Sequence, residues 1–452
     1  MLPTITHHGA VTGVTGSCHQ YEAAGVNLLI DCGLFQGSEA DVNLADFSFD
    51  VARVSALIVT HCHIDHVGRI PWLVAAGFRG PIYCSEPTAA LLPVVLKDAL
   101  EINLDNDHKL VELALFRIES QIVALPFNNW FAVHEKVQIR LQNAGHILGS
   151  AYVEISTTLD NGKLNRTVFS GDLGSPGAMF VDAVQSPEIV DTLVIETTYG
   201  DKNHTNRQDR EATLAKLINK AMLDSGTLLI PAFSLGRTQE LLSLIENLVH
   251  QGLIQTPNNE PLPVILDSPL ARELTDKYRE LSRFWPNALL ERRDKGRFPL
   301  AFDTLLTISH HKDHLKLVKR LENTEQPAIV IAASGMCQGG RIMNYLEALI
   351  DKPSTDVLFV GYQARGTLGA QIQQAKHGSF IRFKNQSVRL NAKTYTVSGF
   401  SAHADQSDLL AFIQGIPELP GEIRLVHGDG EAKAVFADKL RAVVPGVKVV
   451  VP

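Results

Sequence analysis

Apolar residues in the first part of the chain come in short runs that stop on glycine or on a polar side chain. Val26 to Ile30 ends at Asp31-Cys32-Gly33, and Ala56 to Thr60 ends at His61. Val168 to Ser170 leads into Gly171-Asp172, and Leu193 to Ile195 leads into Glu196. Runs of this length predict buried strands. The first 200 residues read mainly as such strands, broken by glycine turns. In each case a metal-capable side chain stands just past the strand. A sheet fixes geometry there and a loop exposes the group.

The rhythm changes near residue 205. Arg207 to Asp224 and Gly236 to His250 are helical in pattern, with strands at Thr227–Ile230 and Pro263–Leu266. Helical stretches follow near 269–283, 312–322 and 340–350, with strands at Ala328–Ala332 and Val357–Val360. Alternating strands and helices predict βαβ units and a mostly parallel sheet. Residues 205–380 therefore read as a second α/β domain, between a first part at 1–204 and a completing part at 381–452. Ser387 to Val397 returns to strand-like alternation. The last part holds a strand at Ile423–Val426, a helix from about Glu431 and a strand at Val447–Val450.

Composition narrows the class. The 452 residues are 45% hydrophobic, 20% charged and 7% aromatic, which excludes a largely disordered or fibrous chain. There is no apolar run long enough for a membrane span. The N-terminus lacks a basic region followed by an apolar core, so no secretory signal is expected in the chain as given. The net charge of −8 argues against nucleic acid held by bulk charge alone and leaves room for a local basic groove or a bound metal. The five cysteines form no CxxC pair and are odd in number, which fits a reducing cytoplasm.

The 17 histidines are not scattered. His61-Cys62-His63-Ile64-Asp65-His66 crowds ligand-type side chains that are costly to pack unless a cation compensates them. His61 and His63 can clasp one ion from one short loop, and Asp65 and His66 point to a second. Nitrogen and oxygen ligation suits zinc, with manganese or iron as weaker candidates. His146, Asp172 and His427 offer further ligands beside glycines. The run at His310-His311, Asp313 and His314 lacks the HxH spacing and reads as the start of a helix.

HxHxDH, preceded by Asp31 and followed by His146 and Asp172, resembles the metallo-β-lactamase superfamily. Glu196 in IETTYG, His403 in FSAHAD and His427 in VHGD resemble the added motifs of the β-CASP nucleases. PAFSLGR, SGMCQGGR and GYQARGTLG are similar to segments of the domain inserted in that family. The resemblance covers nearly the whole chain. It implies an αββα metallo-β-lactamase fold with an inserted α/β β-CASP cap, and a substrate cleft between the two. It also implies two zinc ions per chain. His61, His63 and His146 would hold the first, and Asp65, His66 and His427 the second. Asp172 would bridge them, and Asp31 would fix a loop or a ligand by hydrogen bonds.

The implied activity is a ribonuclease acting on single-stranded RNA, endonucleolytic with possible 5′→3′ exonuclease action. Two ions about 3.5–4 Å apart would supply a hydroxide for in-line attack on phosphorus. Asp65 and Asp172 belong to that catalytic centre, with His403 as general acid and Glu196 orienting it. Ser401 before a helix start, and Arg237, Arg341 and Arg365 in glycine-flanked loops, are candidate phosphate contacts. Arg292 to Arg297 reads first as a solvated turn and second as an RNA contact. A homodimer is plausible for such a chain. The alternatives are a hydrolase of a small thioester or lactone, a DNA-directed β-CASP nuclease, and a catalytically dead scaffold. The long insertion and FSAHAD argue against the first, His427 against the second, and the complete ligand set against the third.

Overall fold

Period-two alternation lets single strands serve two cores at once. Phe169, Val194 and Val426 point into one apolar layer with Leu28, Ile30, Ile58, Val153 and Ile155. Their neighbours Val168, Leu193, Ile195 and Leu425 point the other way, into a layer with Phe412, Ile413, Phe436 and Leu440. Each such side chain, fully buried, contributes about 1.5–3 kcal/mol.

The computed structural model describes residues 2–452 apart from 40–42, 105–106, 206–208, 257–259, 325, 365 and 385. Six strands form the first sheet in chain order: β1 (Thr4–Gly9), β2 (Cys18–Ala23), β3 (Val26–Ile30), β4 (Ala56–Ile58), β5 (Ile82–Ser85) and β6 (Ile122–Leu125). β1 to β3 are antiparallel, and β3 to β6 run parallel. The second sheet continues with β7 (Trp130–His134), β8 (Val137–Asn143), β9 (Ala151–Thr158), β10 (Leu164–Phe169) and β11 (Thr192–Glu196). Late strands Glu422–Val426 and Lys448–Val450 extend it beyond β11. The layer between the two sheets is the first core. Helices Gln406–Gln414 and Gly430–Val443 cover the second sheet.

Helix Glu86–Asn103 packs on the first sheet and on the helix His108–Glu119. The strand-dominated reading of the first 200 residues had not placed these two helices. The local signals are present nonetheless. The Ser85 hydroxyl accepts from Thr88 N–H at 3.2 Å and Pro87 opens the first turn. The result is an αββα sandwich.

The chain divides into two compact units, Met1–Asn203 with His403–Pro452, and His204–Ala402. The second unit carries β12 (Thr227–Pro231), β13 (Val264–Leu266), β14 (Leu305–Thr307), β15 (Ala328–Ala332), β16 (Asp356–Phe359), a hairpin of β17 (Phe380–Arg382) with β18 (Ser387–Arg389), and β19 (Lys393–Thr396). Its main sheet runs β14-β13-β15-β12-β16-β19 and is parallel throughout. The boundary expected at 380/381 is corrected here. β19 pairs with β16 from Asp356↔Lys393 to Phe359↔Thr396, so residues 381–402 belong with the second unit. A short strand shows its type in the sequence but not its partner.

Candidate metal centre

The HxHxDH run follows the end of β4, and its last three residues lie within a single-turn helix, Ile64–Val67. Main-chain bonds hold it on one side: Ser17 N–H to Asp65 O at 2.8 Å, Cys32 N–H to His66 O at 2.8 Å and Leu34 N–H to Ile64 O at 2.9 Å. A Cβ at Gly33 would stand 1.6 Å from Asp65 O, so this approach requires glycine.

Two groups of donors result. In the first, His63 Nδ1 lies 3.1 Å from both His61 Nε2 and His146 Nε2. Asp172 Oδ2 faces His61 Nε2 at 3.4 Å and His146 Nε2 at 3.6 Å. In the second, His66 Nε2 lies 3.3 Å from His427 Nε2, which lies 3.4 Å from Asp65 Oδ2. Asp172 Oδ1 faces His66 Nε2 at 3.2 Å, so the two oxygens of one carboxylate face the two groups. The ligand atoms of each group lie within 4.8 Å of one another.

Crowded lone pairs of this kind dictate the charges. Burial drops the His61 imidazole well below the ordinary histidine range. Burial opposes charge on His66 as well, but the Asp172 and Asp31 carboxylates outweigh it and hold that ring well above the range. Burial also disfavours the Asp172 anion, yet the His427 and His66 rings keep its carboxyl well below its usual value. His61 thus offers a neutral nitrogen beside an ionised carboxylate, and a divalent cation would replace the proton that the carboxylates hold on His66, so the residues fit zinc chemistry.

Supporting contacts orient these groups. Asp31 Oδ2 accepts from His66 Nδ1–H at 2.7 Å and from the Thr60 hydroxyl at 2.8 Å, and its Oδ1 accepts from Thr60 N–H at 2.8 Å. The Thr198 hydroxyl lies 3.1 Å from His427 Nδ1. Thr60 and Thr198 were missed in the sequence. Their only signal is adjacency to His61 and Glu196.

Glu196 ends β11 fully buried. Its Oε1 accepts from Leu173 N–H at 2.7 Å and from His403 Nδ1–H at 3.3 Å. Ala404 N–H donates to Leu173 O at 2.8 Å and fixes His403 beside the cluster. Burial works against a charged His403, but the Glu196 and Asp172 carboxylates prevail and push it up to about 9.

The expected phosphate contacts differ. Arg237 is buried and ion-paired with Glu240. Arg341 donates to Asp267 Oδ1 at 2.6 Å and to the carbonyls of Ile308 and Ser309, both at 2.8 Å. Both guanidinium groups thus hold internal partners, as structural arginines do, where phosphate contacts were the candidate role. Ser401 is buried in the second unit, and Arg365 lies outside the described residues. In the basic run, Arg297 grips Glu246 with bonds of 3.0 and 2.7 Å, an internal role and not a solvated one. His314 is fully buried and its Nδ1–H donates to Asp267 Oδ2 at 2.7 Å, which accords with the structural reading of that run.

Comparison with known proteins agrees with this architecture. Residues 11–231 match the Metallo-beta-lactamase superfamily, 238–372 the Beta-Casp domain, and 387–452 the Zn-dependent metallo-hydrolase RNA specificity domain. The chain is 34% identical over 441 residues to Ribonuclease TTHA0252 of Thermus thermophilus, covering 97% of this chain and 96% of that one. It is 30% identical over 449 residues to Transcription termination factor FttA of Methanocaldococcus jannaschii, covering 96% and 68% respectively. A solved structure from Enterococcus faecalis V583, of unknown function, aligns over 100% of this chain and 98% of its own with a TM-score of 0.55. At 12% identity that is a likeness of fold. Sheets sandwiched between helices, with the donor cluster at their strand ends, make a metal-dependent hydrolase. The chain belongs to the metallo-β-lactamase superfamily, in the group that carries a Beta-Casp domain.

Proposed function

We propose that the chain hydrolyses phosphodiester bonds of single-stranded RNA in RNA processing or decay, using two divalent ions, zinc by preference and manganese as a substitute. The observation that carries this reading is the pair of donor groups sharing Asp172. His61, His63, His146 and Asp172 would hold one ion; Asp65, His66, His427 and Asp172 would hold the other. Bound ions would acidify water toward a pKa of about 7 and offset charge on the phosphoryl group.

The chain's own residues do the rest. Asp31 holds His66 with Nε2 toward the cluster. His403, kept protonated by Glu196, gives a proton to the departing ribose oxygen. Glu196 keeps its place through Leu173 N–H and holds the His403 Nδ1 edge, so proton delivery falls to Nε2. The match of residues 387–452 to an RNA specificity domain, and a ribonuclease among the relatives, weigh against a small-substrate or DNA-directed reading. Five free, buried cysteines suit a reducing cytoplasm. Among the described residues no helix is long and apolar enough to cross a membrane.

The test is cleavage of end-labelled single-stranded RNA and matched DNA by chelated, then zinc-reconstituted, protein beside Asp65→Ala and His403→Ala. RNA cut by the wild type alone, with DNA spared, supports the reading. An inert wild type with two zinc ions bound per chain overturns it.

A further inference from the structure

Residues 10–17, between β1 and β2, touch both chain segments that supply the second donor group. At one end Ser17 N–H donates to Asp65 O at 2.8 Å and Gly16 N–H to Leu34 O at 3.0 Å. At the other, His427 N–H donates to Ala10 O at 2.8 Å and Gly428 N–H to Gly13 O at 3.1 Å. Ala10 and His427 both adopt left-handed backbone, with φ of 55° and 48°. Left-handed backbone is uncommon outside glycine, above all for alanine, so the surroundings must hold it.

Two charged side chains grip this loop. Lys433 lies on the helix that follows the His427 segment, is 2% exposed, and donates from Nζ to Val11 O. A buried ammonium is costly unless its donors are used, so its presence there needs a reason. Glu39 accepts from the Thr12 hydroxyl and, at 2.8 Å, from the Thr15 hydroxyl. The loop is thus a strap tied at its ends by main chain and at its middle by an ammonium and a carboxylate.

We infer that Lys433 is a positioning residue for the Asp65–His66–His427 group, acting through the strap of residues 10–17, with Glu39 holding the strap from the other side. The inference rests on the proposed metal ligands. Asp65 and His427 belong to distant parts of the chain, yet their donor atoms must meet within one coordination sphere. The strap sets their separation, because each of its ends bonds to one of the two segments. Releasing its middle frees His427 from Asp65 and leaves His61, His63 and His146 untouched.

The test is zinc binding to the full chain by competition with a chromogenic chelator, for wild type, Lys433→Met, Lys433→Arg and Glu39→Gln. Lys433→Met is expected to weaken the second-bound ion by about 10–100-fold, as orienting contacts typically do. It is expected to leave the first ion unchanged, with recovery in Lys433→Arg. Equal weakening of both ions, or of neither, overturns the inference. If Lys433→Met does not fold, Glu39→Gln decides by the same criterion. A wild type that binds no zinc instead refutes the metal reading itself, an outcome visible before any variant is compared.

Discussion

Asp31 Oδ2 accepts from His66 Nδ1–H at 2.7 Å, and this contact turns His66 Nε2 toward Asp172. Asp31 stands at φ 59°, a conformation that asparagine also tolerates. Asp31→Asn therefore keeps the backbone and removes the charge. We expect zinc affinity to fall about 10–100-fold with the fold intact. Chelator competition measures it, and an unchanged affinity removes Asp31 from that role.

The Glu196–His403 pair predicts an alkaline limb in the rate. A general acid works only while protonated, so activity falls as pH rises through the His403 pKa, about 9 in the metal-free chain and lower once cations bind nearby. Glu196→Gln removes the carboxylate that raises it. The limb should move to lower pH, and the rate at neutral pH should drop by about 10²–10⁴-fold, with zinc content unchanged. A pH–rate profile with the limb in its original place rejects this role.

Gly33 has no room for a side chain. A Cβ there would meet Asp65 O at 1.6 Å and Ser17 N at 2.8 Å, and both are main-chain atoms that cannot step aside. We expect Gly33→Ala to destabilise the first unit by about 3 kcal/mol and to cost zinc binding. Denaturant unfolding of the zinc-free chain separates the two effects.

The second unit carries a buried network of its own. Asp267 accepts from His314 Nδ1–H at 2.7 Å, from Tyr345 OH at 2.5 Å and from Arg341 at 2.6 Å. Burial disfavours its charge, but these bonds outweigh burial and hold its carboxyl below the usual range. A depressed carboxyl contributes stability that is present above its unfolded pKa of about 3.9 and is lost as pH falls through the folded value. Asp267→Asn should lower stability at neutral pH by about 3–5 kcal/mol, because Arg341 then lacks its anion. The variant should also lose this contribution to acid sensitivity. Thermal unfolding of both proteins from neutral to acid pH checks this.

Chelation offers a simpler check. Ions that bind only the folded chain stabilise it by mass action, at about 2.7 kcal/mol for ligand at 100 times Kd. Dialysis against a chelator should lower the melting temperature and added zinc should restore it. A melting temperature indifferent to zinc contradicts a metal centre in this cluster.

Much of this was legible along the chain because it is local. Val26–Ile30 and Ala328–Ala332 are strands as expected, since an apolar run bounded by glycine or polar residues needs no partner to show its type. His61, His63, Asp65 and His66 are close because six consecutive residues cannot be far apart. The helix Glu86–Asn103 escaped because its apolar residues resemble those of the strands beside it.

The long-range relations had no local trace. His427 Nε2 reaches His66 Nε2 across 361 positions because the strand Glu422–Val426 lies parallel to β11, with Val426 opposite Glu196. Arg341 was a candidate phosphate contact and is bound to Asp267, 74 positions away. Residues 381–402 join the second unit because β19 pairs with β16. Residue types and neighbours set the strands, turns and donor chemistry, since those depend on side chains close in the chain. Strand order and register decided which donors share a site, since these depend on which surfaces the whole chain can bury together.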